Sequence, residues 1–303
     1  MTIMTDFQQK MTTLLPTIKL LMNESMAKHT SFRIGGPAEV MAFPKNGKEL
    51  CELLKQSALL DCKTAILGAG TNILAPDEGI SGLVICLKEC MDQLEQVDDT
   101  HVRVGAGVSM ARAAAFAANC GLSGLEFAHG IPGSVGGGVY MNAGAYGGEI
   151  CQVCESVEVV DAKGEIRILS AEEMEFSYRH SRLETEGGIV LSAMFVLTPK
   201  AAEEIRATMQ DLMTRRRSSQ PLDLPSAGSA FKRPVGGYAA ALIDQAGLKG
   251  YQVGGAAISE KHAGFAVNLG DATAEDVKKL LKDVSDKVFA NTGIRLEPEV
   301  RIW

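Results

Sequence analysis

GIPGSVGGGVYMNAGAYGGE, residues 130 to 149, decides how the rest of the chain is read. Eight of these twenty residues are glycine: Gly130, Gly133, Gly136, Gly137, Gly138, Gly144, Gly147 and Gly148. A backbone without Cβ atoms approaches a ligand closely and turns successive N–H groups toward one anion, so the stretch reads as a phosphate cradle. The competing reading is a flexible linker. Linkers are Gly/Ser-rich and featureless, however, whereas Ile131, Pro132, Val135, Val139, Tyr140, Met141 and Tyr146 belong to a packed segment. Ordering so much glycine costs conformational entropy, which favours a loop built for a ligand.

Working outward toward the N-terminus, SMARAAAFAANCG (109–121) reads as an alanine-rich helix closed by Gly121 and packed closely on a sheet. His129 stands at the loop's entrance, where a base, a cofactor tether and a hydrogen-bonded structural histidine all fit. GLVICL (82–87) and HVRVGAG (101–107) read as strands, and GKELCELLKQSAL (47–59) carries a helical apolar stripe. KTAIL is a strand that runs into GAGTNIL (68–74), a second tight loop. That short glycine motif lacks the three-glycine dinucleotide fingerprint opening a helix, which disfavours a Rossmann fold. KHTSFRIGG (28–36) ends in a turn pair ahead of the strand EVMAFP, and Arg33 on it fits a phosphate contact and a solvated loop arginine equally well. Residues 1–25 read as a short, loosely held helix or arm.

On the other side of the loop, SVEVVDAKGEIRIL (156–169) alternates about Lys163 and Gly164 as a β-hairpin does. Tyr178, Arg179, His180 and Ser181 follow as a density of polar groups that suits a site wall, ahead of another strand pair. Residues 201–217 form a helix whose closing arginines suit a helix C-terminus. QPLDLPSAG (220–228) is the expected domain joint. Beyond it, GSAFKRP puts Ser229 on a loop beside Lys232 and Arg233, which suits a substrate diphosphate and an ordinary turn alike. Helices are expected at 237–247 and 272–293, with QVGGAAIS and GFAVNL as strands between them. Glu297 and Glu299 lie two apart, on one side of an extended strand, and Pro298 between them makes it an edge strand or a strand start.

Composition narrows the function classes. With 303 residues, 46% of them hydrophobic and 22% charged, the chain builds two or three ordinary domains. A net charge of −7 argues against a nucleic-acid partner. No apolar run reaches the roughly 20 residues of a membrane span and the N-terminus lacks signal-peptide pattern, so a cytoplasmic protein with no membrane partner is expected. Seven cysteines, an odd number, suggest free thiols. Cys151 and Cys154 have redox or zinc spacing, but nothing completes a metal site, and no metal is expected.

In order, GAGTN, GIPGSVGGGVYMNAGAYGGE, YRHS, GSAFKRP and LEPEVR resemble the signature of the UDP-N-acetylenolpyruvoylglucosamine reductase family, in its shorter branch, from about residue 27 to 301. The resemblance implies an α+β fold: a vanillyl-alcohol-oxidase-type (PCMH-type) FAD-binding region of two subdomains, then a smaller α/β substrate-binding domain. The expected boundaries are an arm at 1–26, the FAD region at 27–219 with a split near 90, and the substrate domain at 220–303. It further implies noncovalent FAD, NADPH as hydride source, a nucleotide-sugar substrate and reduction of UDP-N-acetylglucosamine enolpyruvate, with a monomer expected. The alternative is an oxidase of the same superfamily with flavin tethered through His129. Carried over residue by residue, the catalytic positions are Arg179, Ser229 and Glu299. The flavin-binding positions are Gly68, Ala69, Gly70, Thr71, Asn72, Ile73 and Leu74; Ile131, Pro132, Gly133, Ser134, Val135, Gly136 and Gly137; and Asn142, Ala143 and Gly144, with Arg33 added. Tyr178, Lys232 and Arg233 are expected to face the substrate. Hydride addition to an enolpyruvyl group leaves an enolate, which the planar fork of Arg179 suits. Glu299 helps only as a protonated carboxyl, and Ser229 delivers the proton.

Overall fold

The computed structural model describes residues 4–88, 90–161 and 164–303. In chain order its elements begin with α1 (Asp6–Leu14), β1 (Lys19–Ser25), β2 (Pro37–Phe43), α2 (Gly47–Leu59), β3 (Thr64–Leu67), β4 (Ile73–Leu74) and β5 (Ile80–Cys86). Next come β6 (Leu94–Gln96), β7 (His101–Gly105), α3 (Met110–Asn119), β8 (Leu122–Ser123), α4 (Val135–Tyr140), β9 (Gly144–Ala145), β10 (Gly148–Glu149), β11 (Cys154–Val160) and β12 (Ile166–Ser170). The remainder are α5 (Leu183–Glu186), β13 (Ile189–Val196), β14 (Thr198–Pro199), α6 (Ala202–Ser219), β15 (Ser226–Ser229), α7 (Ala239–Gln245), β16 (Gln252–Val253), β17 (Ala256–Ile258), β18 (Phe265–Asn268), α8 (Ala274–Thr292) and β19 (Arg301–Ile302). Among the described residues no helix is long and apolar enough to cross a membrane.

Two compact units share the chain. The first takes the residues up to 22, 40–69 and 82–215. It holds a four-stranded sheet, order β1-β2-β5-β3, and an antiparallel five-stranded sheet, order β12-β11-β13-β7-β6. Alternation drives the second sheet, since Val157 and Val159 of β11 are buried while Ser156 and Glu158 are only half-buried. Ala113, Ala114, Ala117 and Ala118 of α3 join Val102, Val104 and Phe195 in one core, their small side chains allowing close approach. Helix starts fall where the sequence supplies caps: Asn46 accepts from the amide of Glu49 at 3.0 Å, and Ser109 from that of Arg112 at 3.2 Å. Gly121 ends α3's segment at φ +68°, as a helix-closing glycine does. Strands β11 and β12 form the expected hairpin; Gly164 sits in it at φ +82°, and Lys163 lies outside the described residues.

The N-terminal arm is not loosely held. A capping box between Thr5 and Gln8 starts α1, and Met11 and Leu15, four apart on one helix face, are buried in the first unit's core. Residues 19–25 then form a strand.

The second unit takes 23–39, 70–81 and 216–303. Its antiparallel sheet has the order β15-β18-β17-β16, and α7 and α8 add Ile243, Val277, Leu280 and Val284 to its core. Thr273 and Asp276 form the capping box of α8, and Gly293 closes it at φ +71°. Phe32, Ile34 and Leu74 belong to this core, and β4 pairs in parallel with β19. The contiguous boundaries at 26/27 and 219/220 therefore differ from the observed division, although Arg216 starts the last segment close to the expected joint. Within the first unit, the four-stranded sheet ends with β5 at Cys86 and the five-stranded one begins with β6 at Leu94, a change of sheet near 90. Composition marks joints along the chain, whereas the second unit draws its apolar side chains from three separate stretches.

Candidate functional site

The first unit supplies the glycine loops. Gly68 follows β3, and a Cβ placed on it would meet only Ser134 Oγ, at 3.0 Å, so the two predicted loops meet here. Ser134 caps α4, its Oγ accepting from the amide of Gly137. The amides of Val135 and Gly136 donate to Val108 O and Ala106 O at 2.8 and 2.9 Å. Among the described residues the amides of Gly133 and Ser134 have no protein acceptor, and Gly133 stands at φ +144°, a conformation for glycine. The cradle thus lies just ahead of the helix, and a Cβ on exposed Gly137 would touch nothing but Ser134 Oγ, at 3.6 Å. Two open glycines and two unspent amides fit the diphosphate of a dinucleotide. The side chain of Val135 is fully buried in the first unit's core. His129 Nδ1 is buried without a hydrogen-bond partner among the described residues.

Arg179 belongs to the same unit. Ser177 and His180 bridge each other, N–H to O at 3.1 and 3.2 Å, which leaves Tyr178 and Arg179 as the two central residues of a tight turn. Arg179 takes φ +56°, as the second central residue of a type II turn does. Its Nη2 donates to Gly144 O at 3.2 Å, and its guanidinium lies 4.9 Å from the Tyr178 ring. Asn142 is fully buried, and its side chain is a support within the protein. Its Nδ2 donates to Ser177 O at 3.0 Å and to Glu149 Oε2 at 2.9 Å, and its Oδ1 accepts from the Cys151 amide at 3.0 Å. Ser181 Oγ donates to Tyr140 O at 2.8 Å. Ser181, read from the sequence as part of a site wall, and Tyr140, read as part of a packed segment, carry this support, and Glu149 joins them without having been singled out.

Cys151 and Cys154 are free. Burial and the charge of Glu149 raise the Cys151 thiol, and burial pushes Cys154 up to about 12. Both are held protonated at neutral pH, which removes the thiolate that redox chemistry needs.

The second unit holds the other candidates. Ser229 ends β15 after a register shift at Gly228 (φ +78°), so it is exposed at a strand end and not on a free loop. Ala230 and Phe231, next to it, are buried. The amide of Glu299 donates to Ala230 O at 2.9 Å and that of Lys232 to Glu297 O at 2.9 Å, around the bridge Phe231 to Pro298. Ser229 and half-buried Glu299 are therefore brought onto adjacent segments. Around Pro298, which has no amide to extend a ladder, the expected strand is reduced to this one bridge, and pairing resumes at β19 (Arg301–Ile302). Lys232 Nζ lies 3.7 Å from Glu297 Oε2, and Arg233 stacks 4.5 Å from the Tyr238 ring on an exposed loop.

Four predicted flavin positions in this unit spend their groups on the fold. A Cβ on Gly70 would fall 2.0 Å from His29 O, so glycine is needed there for backbone approach. Asn72 Nδ2 donates to Glu299 O at 3.2 Å, its carbonyl accepts from the Arg301 amide at 3.0 Å, and Ile73 and Leu74 form β4. Ser31 joins three predicted segments: its amide donates to Gly70 O at 2.9 Å and its Oγ to Ser226 O at 2.6 Å. Arg33 follows on an exposed turn at φ +56°.

A family model described as the UDP-N-acetylenolpyruvoylglucosamine reductase C-terminal domain matches residues 220–303, and one described as an FAD binding domain matches 38–170. The reductase of that name from Agathobacter rectalis is 47% identical over 98% of both chains, and that from Caldanaerobacter subterraneus 47% identical over 94% of this chain and 93% of its own. The chain belongs to the UDP-N-acetylenolpyruvoylglucosamine reductase family. The crystal structure of the Thermus caldophilus reductase superposes with a TM-score of 0.79 at 36% identity, covering 94% of this chain and 98% of that one. The fold is the α+β architecture of this family, an FAD-binding domain with a reductase-family C-terminal domain. The FAD-binding match contains Gly68, Gly133, Ser134 and Gly137, the residues of the cradle.

Proposed function

We propose that this chain is an FAD- and NADPH-dependent reductase of UDP-N-acetylglucosamine enolpyruvate, forming UDP-N-acetylmuramate for peptidoglycan precursors. The observation that carries the reading is family membership over nearly the whole chain, with the cradle inside the FAD-binding match. Gly68, Gly133, Ser134 and Gly137 hold the FAD diphosphate noncovalently. Burial of His129 Nδ1 removes one of its two ring nitrogens from the tethered-oxidase alternative.

Bound flavin, reduced by NADPH, supplies a hydride to the terminal enolpyruvyl carbon. Arg179 then stabilises the enolate with its planar guanidinium. Glu299, the second carboxylate of the LEPEVR segment, is the third catalytic side chain. Ser229 Oγ gives its proton to the adjacent carbon, completing addition of one hydride and one proton across the double bond. Exposure of Ser229 at the strand end supports that role. Tyr178, Lys232 and Arg233 face the nucleotide sugar. The enzyme works as a cytoplasmic monomer, where NADPH and UDP-sugars are found.

The test is anaerobic. NADPH should bleach the yellow protein, and the enolpyruvyl substrate should restore the colour with one product formed per flavin. Ser229→Ala should keep the bleaching and lose the product; product formed at the original rate removes Ser229 from the mechanism. Acid precipitation should release flavin into the supernatant, and flavin retained in the pellet would instead establish a tether.

A further inference from the structure

The turn that presents Arg179 hangs from the exit of α4 by two hydrogen bonds. On one side Asn142 Nδ2 donates to Ser177 O, and on the other Ser181 Oγ donates to Tyr140 O. Asn142 and Ser181 are both fully buried, so water does not compete for either bond. Asn142 is itself fixed at φ +43°, with its two amide protons on Ser177 O and Glu149 Oε2 and its oxygen on the Cys151 amide. Glu149 pairs with Gly144 across the β9–β10 ladder, and Gly144 O is the acceptor for the Arg179 guanidinium. One carboxamide therefore joins the strand bridge beneath Arg179 to the hairpin that receives its head.

We propose that Asn142 is a positioning residue for Arg179. It acts through the backbone of Ser177, holding the turn in the left-handed conformation at residue 179 so that the guanidinium meets the developing enolate. The proposal rests on the role given to Arg179 above. Misplacing a catalytic group by about 1 Å costs on the order of 100-fold in rate.

Asn142→Gly is the first variant, because glycine accepts φ +43° without strain while removing the carboxamide. Asn142→Asp is the second; it keeps volume and the acceptor for Cys151 but loses the donor to Ser177. Each should lower kcat on the order of 100-fold, with flavin content, KM for NADPH and the rate of NADPH bleaching unchanged. Amide exchange at Ser177 and His180 should speed up in Asn142→Gly. In an Arg179→Lys background either Asn142 change should add no further loss, because residues that act as one unit are not additive. Full kcat in the flavin-loaded variants, or the same fractional loss in both backgrounds, overturns the proposal. Should Asn142→Gly fail to fold, Asn142→Asp decides alone. Wild-type turnover by Arg179→Lys itself would sink the role of Arg179, a failure distinct from that of the Asn142 bond.

Discussion

Arg179 is held where an arginine does not go by preference. A non-glycine residue at φ +56° gives up about 1–2 kcal/mol to the clash of Cβ with the backbone. The bridge of Ser177 with His180 and the support of Asn142 offset that cost and aim the side chain. An ammonium in its place offers no planar pair of donors. Arg179→Lys should therefore lose on the order of 100-fold or more in kcat, the range seen when an oxyanion donor is removed, while NADPH bleaching proceeds normally. Steady-state rates beside anaerobic half-reactions check this, and near-normal turnover would refute it. The residue types at Arg179, Ser229 and Glu299 were legible from ordered motifs. The direction of a side chain was not: Asn142 reads as part of a glycine-rich wall, yet its carboxamide turns inward to three protein partners.

At the scale of elements, legibility follows how local the cause is. Asn46, Ser109 and Thr273 cap α2, α3 and α8 through bonds within four residues, so those helices could be placed from sequence. Strand β1 was missed because KLLMNES shows no buried alternation, and β6 is three residues long. Its neighbour β7 starts at a histidine with a titratable setting. His101 Nδ1 lies 2.9 Å from Asp98, and Nε2 lies 3.4 Å from Glu155 of β11. The hydrogen bond to Asp98 raises the imidazole above its usual 6.5. Asp98, accepting from the amide of Thr100 and from His101, is lowered to about 2. A raised histidine stabilises the fold fully below pH 6.5 and loses that contribution as pH climbs through the folded value. The lowered aspartate contributes above its unfolded value, about 3.9, and fades as pH falls toward 2. The pair thus works best between about pH 4 and 6.5. Melting curves of wild type and His101→Gln should be furthest apart near pH 5.5 and converge as pH rises through the raised folded value of the imidazole. An unchanged gap across that range would count against the staple.

For the molecule as a whole, the order of residues along the chain misleads about which of them fold together. The family match to 220–303 suggests a domain that stands alone, but the unit containing it also takes 23–39 and 70–81. Phe32, Ile34 and Leu74 are at most 2% exposed in its core. Burying three such side chains is worth about 5–9 kcal/mol, comparable with the 5–15 kcal/mol that typically separates a folded domain from its unfolded chain. Asp77 accepts from the amides of Ala274 and Glu275 at 2.8 and 3.2 Å, capping α8 from nearly two hundred residues away. Asn268, buried, donates its Nδ2 to Phe32 O at 3.0 Å and would be left unsatisfied without it. Strand β19 has β4 as its partner. A fragment of residues 220–303 should accordingly show weak helical circular dichroism and no cooperative thermal transition. The full chain should melt cooperatively, and Asp77→Ala within it should lower stability by about 1 kcal/mol through loss of the cap. A sharp melt of the isolated fragment would mean that the last segment carries its own core, and that the two earlier stretches contribute little to it.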